Sequence, residues 1–237
     1  MQTEIEPSIS SRLSRRSFLQ LSGLGTTLLS TGALPALLTA CGPAADSQPV
    51  AAPSTTVFTP DVEFLLRATE GSAAILPGNA TTTWHFAGEL VSGQEEALAS
   101  LPNAYLGPIL RLEQGQNVRI RFQNELPEAS IVHWHGLIIG DDMDGHPRYA
   151  VDGGEEYLYE FEVKNRAGTY WFHPHPHGRT GPQVYQGMAG LLLITDPEEA
   201  ALNLPSGGYD IPLVLQDRLF DEENQFRYLL NQGSAAG

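Results

Sequence analysis

Between residues 57 and 195, hydrophobic and polar residues alternate with a period of two, the pattern of strands that bury one face. Asn117-Val118-Arg119-Ile120-Arg121-Phe122-Gln123 alternates strictly, and Tyr157-Leu158-Tyr159-Glu160-Phe161-Glu162-Val163 sets its aromatic residues on one face. Further strands are predicted at 62–68, 81–86, 131–135, 169–173 and 190–194. Gly and Pro punctuate nearly every gap, as in Gly107-Pro108, Gly115, Gly145, Gly153-Gly154 and Gly168. Only the short stretch 94–100 reads as helical. Many short strands separated by turns, with no long helical pattern, predict an all-β antiparallel sandwich whose core is large enough to fold alone. Trp84, Phe122, Trp171 and Phe172 are the expected core or near-site packing residues.

The first forty residues belong to a different pattern. Ser14-Arg15-Arg16-Ser17-Phe18-Leu19 precedes a moderately apolar run rich in Gly, Ser and Thr, which reads as a twin-arginine export signal. A transmembrane anchor is the competing reading, weakened by Gly23, Gly25, Gly32 and Pro35. Leu38-Thr39-Ala40-Cys41-Gly42 resembles a lipobox, in which Cys41 becomes the lipidated first residue; a buried structural cysteine is the alternative. Cys41 is the only cysteine, so no disulfide can form within the chain. Residues 42–56, with Pro43, Pro49 and Pro53, suit an extended tether. The predicted organisation is therefore an export signal over 1–41, a tether over 42–56 and a sandwich over 57–200. Residues 201–237 form a linker and the incomplete start of a second domain. The expected location is the periplasm or the outer face of the cytoplasmic membrane, held by a lipid.

Thirteen basic against twenty-eight acidic residues give a formal charge of −15. That balance argues against nucleic acid and anionic headgroups as partners. An acidic surface also concentrates cations, although solubility explains the same composition.

Five of the seven histidines fall in two clusters, His133-Trp134-His135-Gly136 and Trp171-Phe172-His173-Pro174-His175-Pro176-His177-Gly178. On a strand, residues i and i+2 project from one face, so each His-X-His pair can serve one metal ion or two neighbouring ions. Neutral imidazole suits copper, zinc, nickel and iron, and neither run contains a carboxylate or thiolate to favour a harder or softer ion. Copper or zinc is the expectation from ligand chemistry. Trp134 and Trp171 are placed to orient the neighbouring imidazoles. Pro174 and Pro176 donate no backbone hydrogen bond, so the second motif is expected to leave the sheet soon after His173.

These paired motifs closely resemble the first domain of the three-domain multicopper oxidases: laccases, bilirubin oxidases and bacterial cuprous oxidases. Gly107-Pro108-Ile109-Leu110-Arg111, Gly115, Gly187-Met188-Ala189-Gly190 and Val214-Leu215-Gln216-Asp217 add to the likeness in order and spacing. The resemblance implies a Greek-key cupredoxin-like β-sandwich and copper as the metal. It implies that His133 is a type 2 copper ligand and that His135, His173 and His175 bind the type 3 pair. Asp144 falls where bacterial members carry a proton-relaying acid; an ordinary acidic loop residue in Asp141-Asp142-Met143-Asp144-Gly145 is the equal alternative. His177, His85 and His146 match no ligand position.

The resemblance also implies dioxygen and a small reductant as substrates of the complete enzyme, with water as product. The two motifs supply half the histidines of the family's trinuclear cluster, and no Cys is left for a type 1 site. The chain alone is therefore expected to be inactive, and C-terminal domains or a separate chain are expected to complete the cluster. The competing reading is a surface-tethered copper or zinc binder without enzymatic activity. The donor substrate and oligomeric state are not legible here.

Overall fold

In a computed structural model the described residues are 57–101 and 104–228. The predicted signal, Cys41, the tether and the last nine residues lie outside them. Nine strands form two sheets: β1 (Val62–Ala73), β2 (Thr81–Ser92), β3 (Leu98–Ala99), β4 (Ile109–Glu113), β5 (Asn117–Asn124), β6 (Val132–His135), β7 (Glu156–Glu162), β8 (Gly168–Pro174) and β9 (Gly190–Thr195). One sheet runs β2-β1-β5-β7 and the other β3-β4-β9-β8-β6. From β4 to β8 the chain changes sheet at every step, as a Greek key requires. The all-β cupredoxin-like sandwich is thus the observed fold.

Two pairings, β1 with β5 and β4 with β9, are parallel, so the sandwich is mixed where the alternation had suggested antiparallel pairing throughout. In each case the chain crosses between the sheets an even number of times, two from β1 to β5 and four from β4 to β9, before returning to its neighbour. Leu66, Ile120, Tyr159 and Phe172 point inward from successive strands, and Phe86 stacks against Phe172 with ring centroids 5.4 Å apart. This core follows from the period-two pattern, seen most cleanly at Ile120, which is buried between the outward-facing Arg119 and Arg121.

Three elements differ from expectation. The stretch 94–100 forms a 3-10 turn at Glu95–Ala97 and then β3, because Leu98 and Ala99 pair with Leu110 and Ile109 of β4. β4 escapes the alternation because Ile109 and Leu110 are adjacent, apolar and both buried. A short helix, α1 (Thr180–Gln186), follows β8; Pro182 is tolerated in its first turn, and Gly187, at φ +120°, ends it.

Candidate metal centre

Strand pairing brings the two histidine motifs together. β6 and β8 run antiparallel with His133 opposite His173, Trp134 opposite Phe172 and His135 opposite Trp171. Opposed residues on one face stand side by side, so His133, His135, His173 and Trp171 share the outer face while Trp134 and Phe172 turn into the core. β8 ends at Pro174, as the prolines require. The His175 N–H nevertheless donates to the Ile131 carbonyl at 2.9 Å, which carries the pairing one residue further and sets His175 beside its partners.

The ring centroid of His133 lies 5.4 Å from that of His135, 5.2 Å from His173 and 5.1 Å from His175. Nitrogens of His133, His135 and His173 all fall within 4.8 Å of one another, close enough to hold one ion. His175 flanks this trio, 6.1 Å from His173. The structure therefore brings all four histidines into one cluster, three of them within reach of a single ion.

Backbone carbonyls decide which nitrogen each ring presents. The Nδ1–H of His133 donates to the Asp144 carbonyl at 2.7 Å, that of His173 to Pro174 at 2.9 Å, and that of His175 to Gly145 at 3.2 Å. Each of these rings is left with a bare Nε2. His135 has no such carbonyl; its Nδ1 lies 3.2 Å from His173 Nε2. Two nitrogens on one tetrahedral ion at about 2.0 Å would be about 3.3 Å apart, so this pair fits a shared imidazole-bound metal. The four nitrogens, uninterrupted by carboxylate or thiolate, fit copper or zinc.

The loop 141–145 is the device behind this arrangement. Gly145 has φ +72°, and a Cβ there would run into the Val132 carbonyl on β6. Only glycine lets the loop lie flat on the strand, where its two consecutive carbonyls reach His133 and His175. The Asp144 carboxylate sits 3.3 Å from His133 Nδ1, behind the ring and away from its Nε2. Trp171 covers the site from the side, with ring centroids 4.3 Å from His173 and 5.1 Å from His135. Burial, seconded by the neighbouring imidazoles and opposed by the Pro174 carbonyl, pushes His173 down to a pKa of about 4. Its ring is therefore neutral, with its lone pair available, well into the acid range.

One sequence expectation needs correction: Trp134 does not orient the imidazoles but packs inward against Tyr159, Phe161 and Phe172. Trp171, expected as core or near-site packing, takes the near-site place, about a third exposed and lying against His173 and His135. The two carbonyl anchors went unseen, because a backbone oxygen has no signature in sequence; the Asp144-Gly145 dipeptide was the one available hint. The other histidines stand apart from the cluster. His146 caps a 3-10 turn, accepting from Arg148 N–H, and His85 lies against Gly71, where burial lowers its pKa.

Known proteins share this pattern. A family model described as multicopper oxidase matches residues 79–199. The chain is similar to the multicopper oxidase mco of Staphylococcus aureus, 38% identical over 159 residues that make up 66% of this chain and 32% of that protein. It is also similar to the cell division protein FtsP of Edwardsiella tarda, 31% identical across 88% of this chain and 40% of that one. Among solved structures, the McoA multicopper oxidase of Aquifex aeolicus superposes with a TM-score of 0.61 at 37% identity, over 73% of this chain and 36% of that chain. The chain spans about a third of the length of the mco proteins it matches. With the family model covering half of its residues, this chain belongs to the multicopper oxidase family.

Proposed function

We propose that this chain is the first cupredoxin domain of a multicopper oxidase and supplies half of a trinuclear copper cluster. His133 would hold the type 2 copper, and His135, His173 and His175 the type 3 pair. The observation that carries this reading is the convergence of four imidazoles, three of them fixed by backbone carbonyls so that Nε2 faces the pocket. Bound copper would supply one-electron chemistry for reducing dioxygen to water at the expense of a small reductant. Histidines from further domains, or from a separate chain, would complete the cage.

The chain's own residues would position and protonate. Asp144 would hold a proton at Oδ1 beside the site, 3.3 Å from the His133 ring nitrogen that its own backbone carbonyl already engages, and release it to solvent-borne oxygen species there rather than through the ring. Trp171 would keep water off one flank of His173. Export with a lipid on Cys41 belongs to the same proposal and would place the domain outside the cytoplasmic membrane.

A second reading is favoured by the tight trio of His133, His135 and His173, which needs no outside ligand to capture one ion. On that view the chain is a tethered copper or zinc binder without turnover. Similarity to a protein named for cell division, with no mention of oxidation in its name, supports this reading.

Equilibrium titration of the purified chain with copper tests the site, and oxygen uptake with a phenolic donor separates the readings. The proposal expects copper uptake lost in His133→Ala and His173→Ala, with oxygen consumption only after the remaining domains are supplied. Copper uptake unchanged in both variants contradicts it; steady uptake of oxygen by the chain alone contradicts the half-cluster.

A further inference from the structure

A second set of side chains runs from the surface inward to β6 and takes no part in holding the imidazoles. Trp134 lies between His133 and His135 in the chain but on the opposite face, fully buried, its indole Nε1 without a hydrogen-bond partner among the described residues. Tyr159 meets it edge-on, with ring centroids 5.3 Å apart and planes at 90°. Tyr157 follows at 4.9 Å from Tyr159, and Tyr149 at 5.9 Å from Tyr157. Trp134 and Tyr159 are sealed in the core, whereas Tyr157 and Tyr149 are part-exposed. The Tyr159 hydroxyl also touches the peptide leading into His133, accepting from the Val132 N–H at 3.0 Å and donating to the Val132 carbonyl at 2.9 Å.

Rings in edge contact exchange single electrons readily, and tryptophan and tyrosine are among the side chains most easily oxidised. Direction is set by where each proton can go, because an oxidised phenol becomes a strong acid. Tyr159 faces only an amide carbonyl, a poor base, in a site where burial already raises its pKa. Tyr157 donates to the Asp142 carbonyl at 2.5 Å and reaches solvent in part. Of the three, only the Tyr149 hydroxyl donates directly to a carboxylate, that of Asp141, at 3.5 Å. Arg148 lies over the Tyr149 ring at 4.8 Å, but its charge is answered by an ion pair with Asp141. An oxidised ring is therefore most costly in the core and least costly at Tyr149.

We propose that Trp134, Tyr159, Tyr157 and Tyr149 form a one-electron route that carries an oxidising equivalent from the histidine cluster to the surface, ending at Tyr149. The role is protective and rests on the copper reading of the cluster. If donor electrons run out, a hydroperoxide-class oxidant at the metal attacks what is nearest, which here means the imidazoles and Trp171. Along the route, one electron moves inward to that oxidant, which takes up a proton from water. Tyr149 supplies the electron and gives its phenolic proton to Asp141. A hydrogen atom from a soluble thiol or phenol then restores Tyr149. Trp171 touches two imidazoles but no further aromatic ring among the described residues, so an oxidising equivalent there has no onward path.

The test uses the full chain loaded with copper, its stoichiometry measured, and treated with hydrogen peroxide in the absence of a donor. Samples frozen at intervals are read by electron paramagnetic resonance and by mapping oxidised peptides. The expected result is a tyrosyl signal that falls severalfold in Tyr149→Phe and in Tyr157→Phe, with oxidation rising at His133, His135 and Trp134. Tyr209→Phe, an exposed tyrosine outside the route, leaves both readouts unchanged. Should Tyr157→Phe fail to load copper, Tyr149→Phe, whose hydroxyl lies at the surface, carries the test. A parent chain that binds no copper overturns the metal reading itself. A loaded parent without a tyrosyl signal, or with the same damage at Trp171 and the histidines in parent and variants, overturns the route alone.

Discussion

The outer faces of the two sheets put their polar residues to opposite uses. On the β2-β1-β5-β7 sheet, charge answers charge. Glu63 accepts from Arg121 at 2.7 Å and lies 3.6 Å from Arg119, which pairs with Glu160; Arg67 reaches Gln123 and Glu89. On the β6-β8 edge of the other sheet, four imidazoles stand together, three of them with their backs tied to carbonyls and the fourth, His135, with its Nδ1 3.2 Å from His173 Nε2. Polar groups that satisfy one another hold a fold; lone pairs gathered without protons await a cation. On the proposed reading the second face is an incomplete polar network that a bound cation would close.

The contrast is broken most severely by removing an imidazole. Changes to groups that merely orient a ligand cost roughly 10–100-fold in metal affinity, so losing the ligand itself in His135→Ala or His173→Ala should cost more. Isothermal titration with copper checks this, and the same measurement on Arg121→Gln should show no change. Gly145→Ala is next. A Cβ there pushes the loop off Val132 and withdraws two carbonyl anchors, so we expect a stability loss of about 1–3 kcal/mol together with a fall of roughly 10–100-fold in metal affinity. Chemical denaturation beside titration separates the two effects.

Acidity sharpens the comparison further. His173 has its folded pKa lowered to about 4 by burial, whereas an unfolded histidine titrates near its ordinary 6.5. Below pH 6.5 the unfolded chain binds a proton that the folded chain refuses, so this contribution is fully present above 6.5 and is lost as pH falls to about 4. Melting of the metal-free chain should therefore drop across that window, and His173→Gln should drop less. The smallest effect belongs to the paired sheet: Arg121→Gln exchanges a half-exposed ion pair for a neutral contact and should cost under about 1 kcal/mol in denaturant.

Much of this was legible in the sequence, for reasons that particular residues make plain. Alternation marked β5 and β7 because each buries one face only, and it failed at β4, where Ile109 and Leu110 are both inside. The i, i+2 spacing marked His133 with His135 and His173 with His175 as pairs that a strand sets on one side, while preferring them to His177 rested on the resemblance and not on the spacing. Trp134 obeys the same rule in reverse: as the residue between two ligands it had to face the core. What the spacing could not supply was the choice of nitrogen. That depends on carbonyls from a loop whose path is fixed by Gly145 packing on Val132, a contact distant in sequence. Nor could it show that β6 and β8 are neighbours in register, with His133 opposite His173.

The central claim is that backbone anchoring presents Nε2 from His133, His173 and His175 but Nδ1 from His135. Nitrogen-15 correlation spectra of the imidazole rings in the chain loaded with Cu(I) read this directly. The account expects Nδ1–H protons on the first three rings and an Nε2–H proton on His135, with the opposite nitrogens shifted by metal. Protonated Nε2 on His133, His173 and His175, or four rings insensitive to the metal, would contradict it.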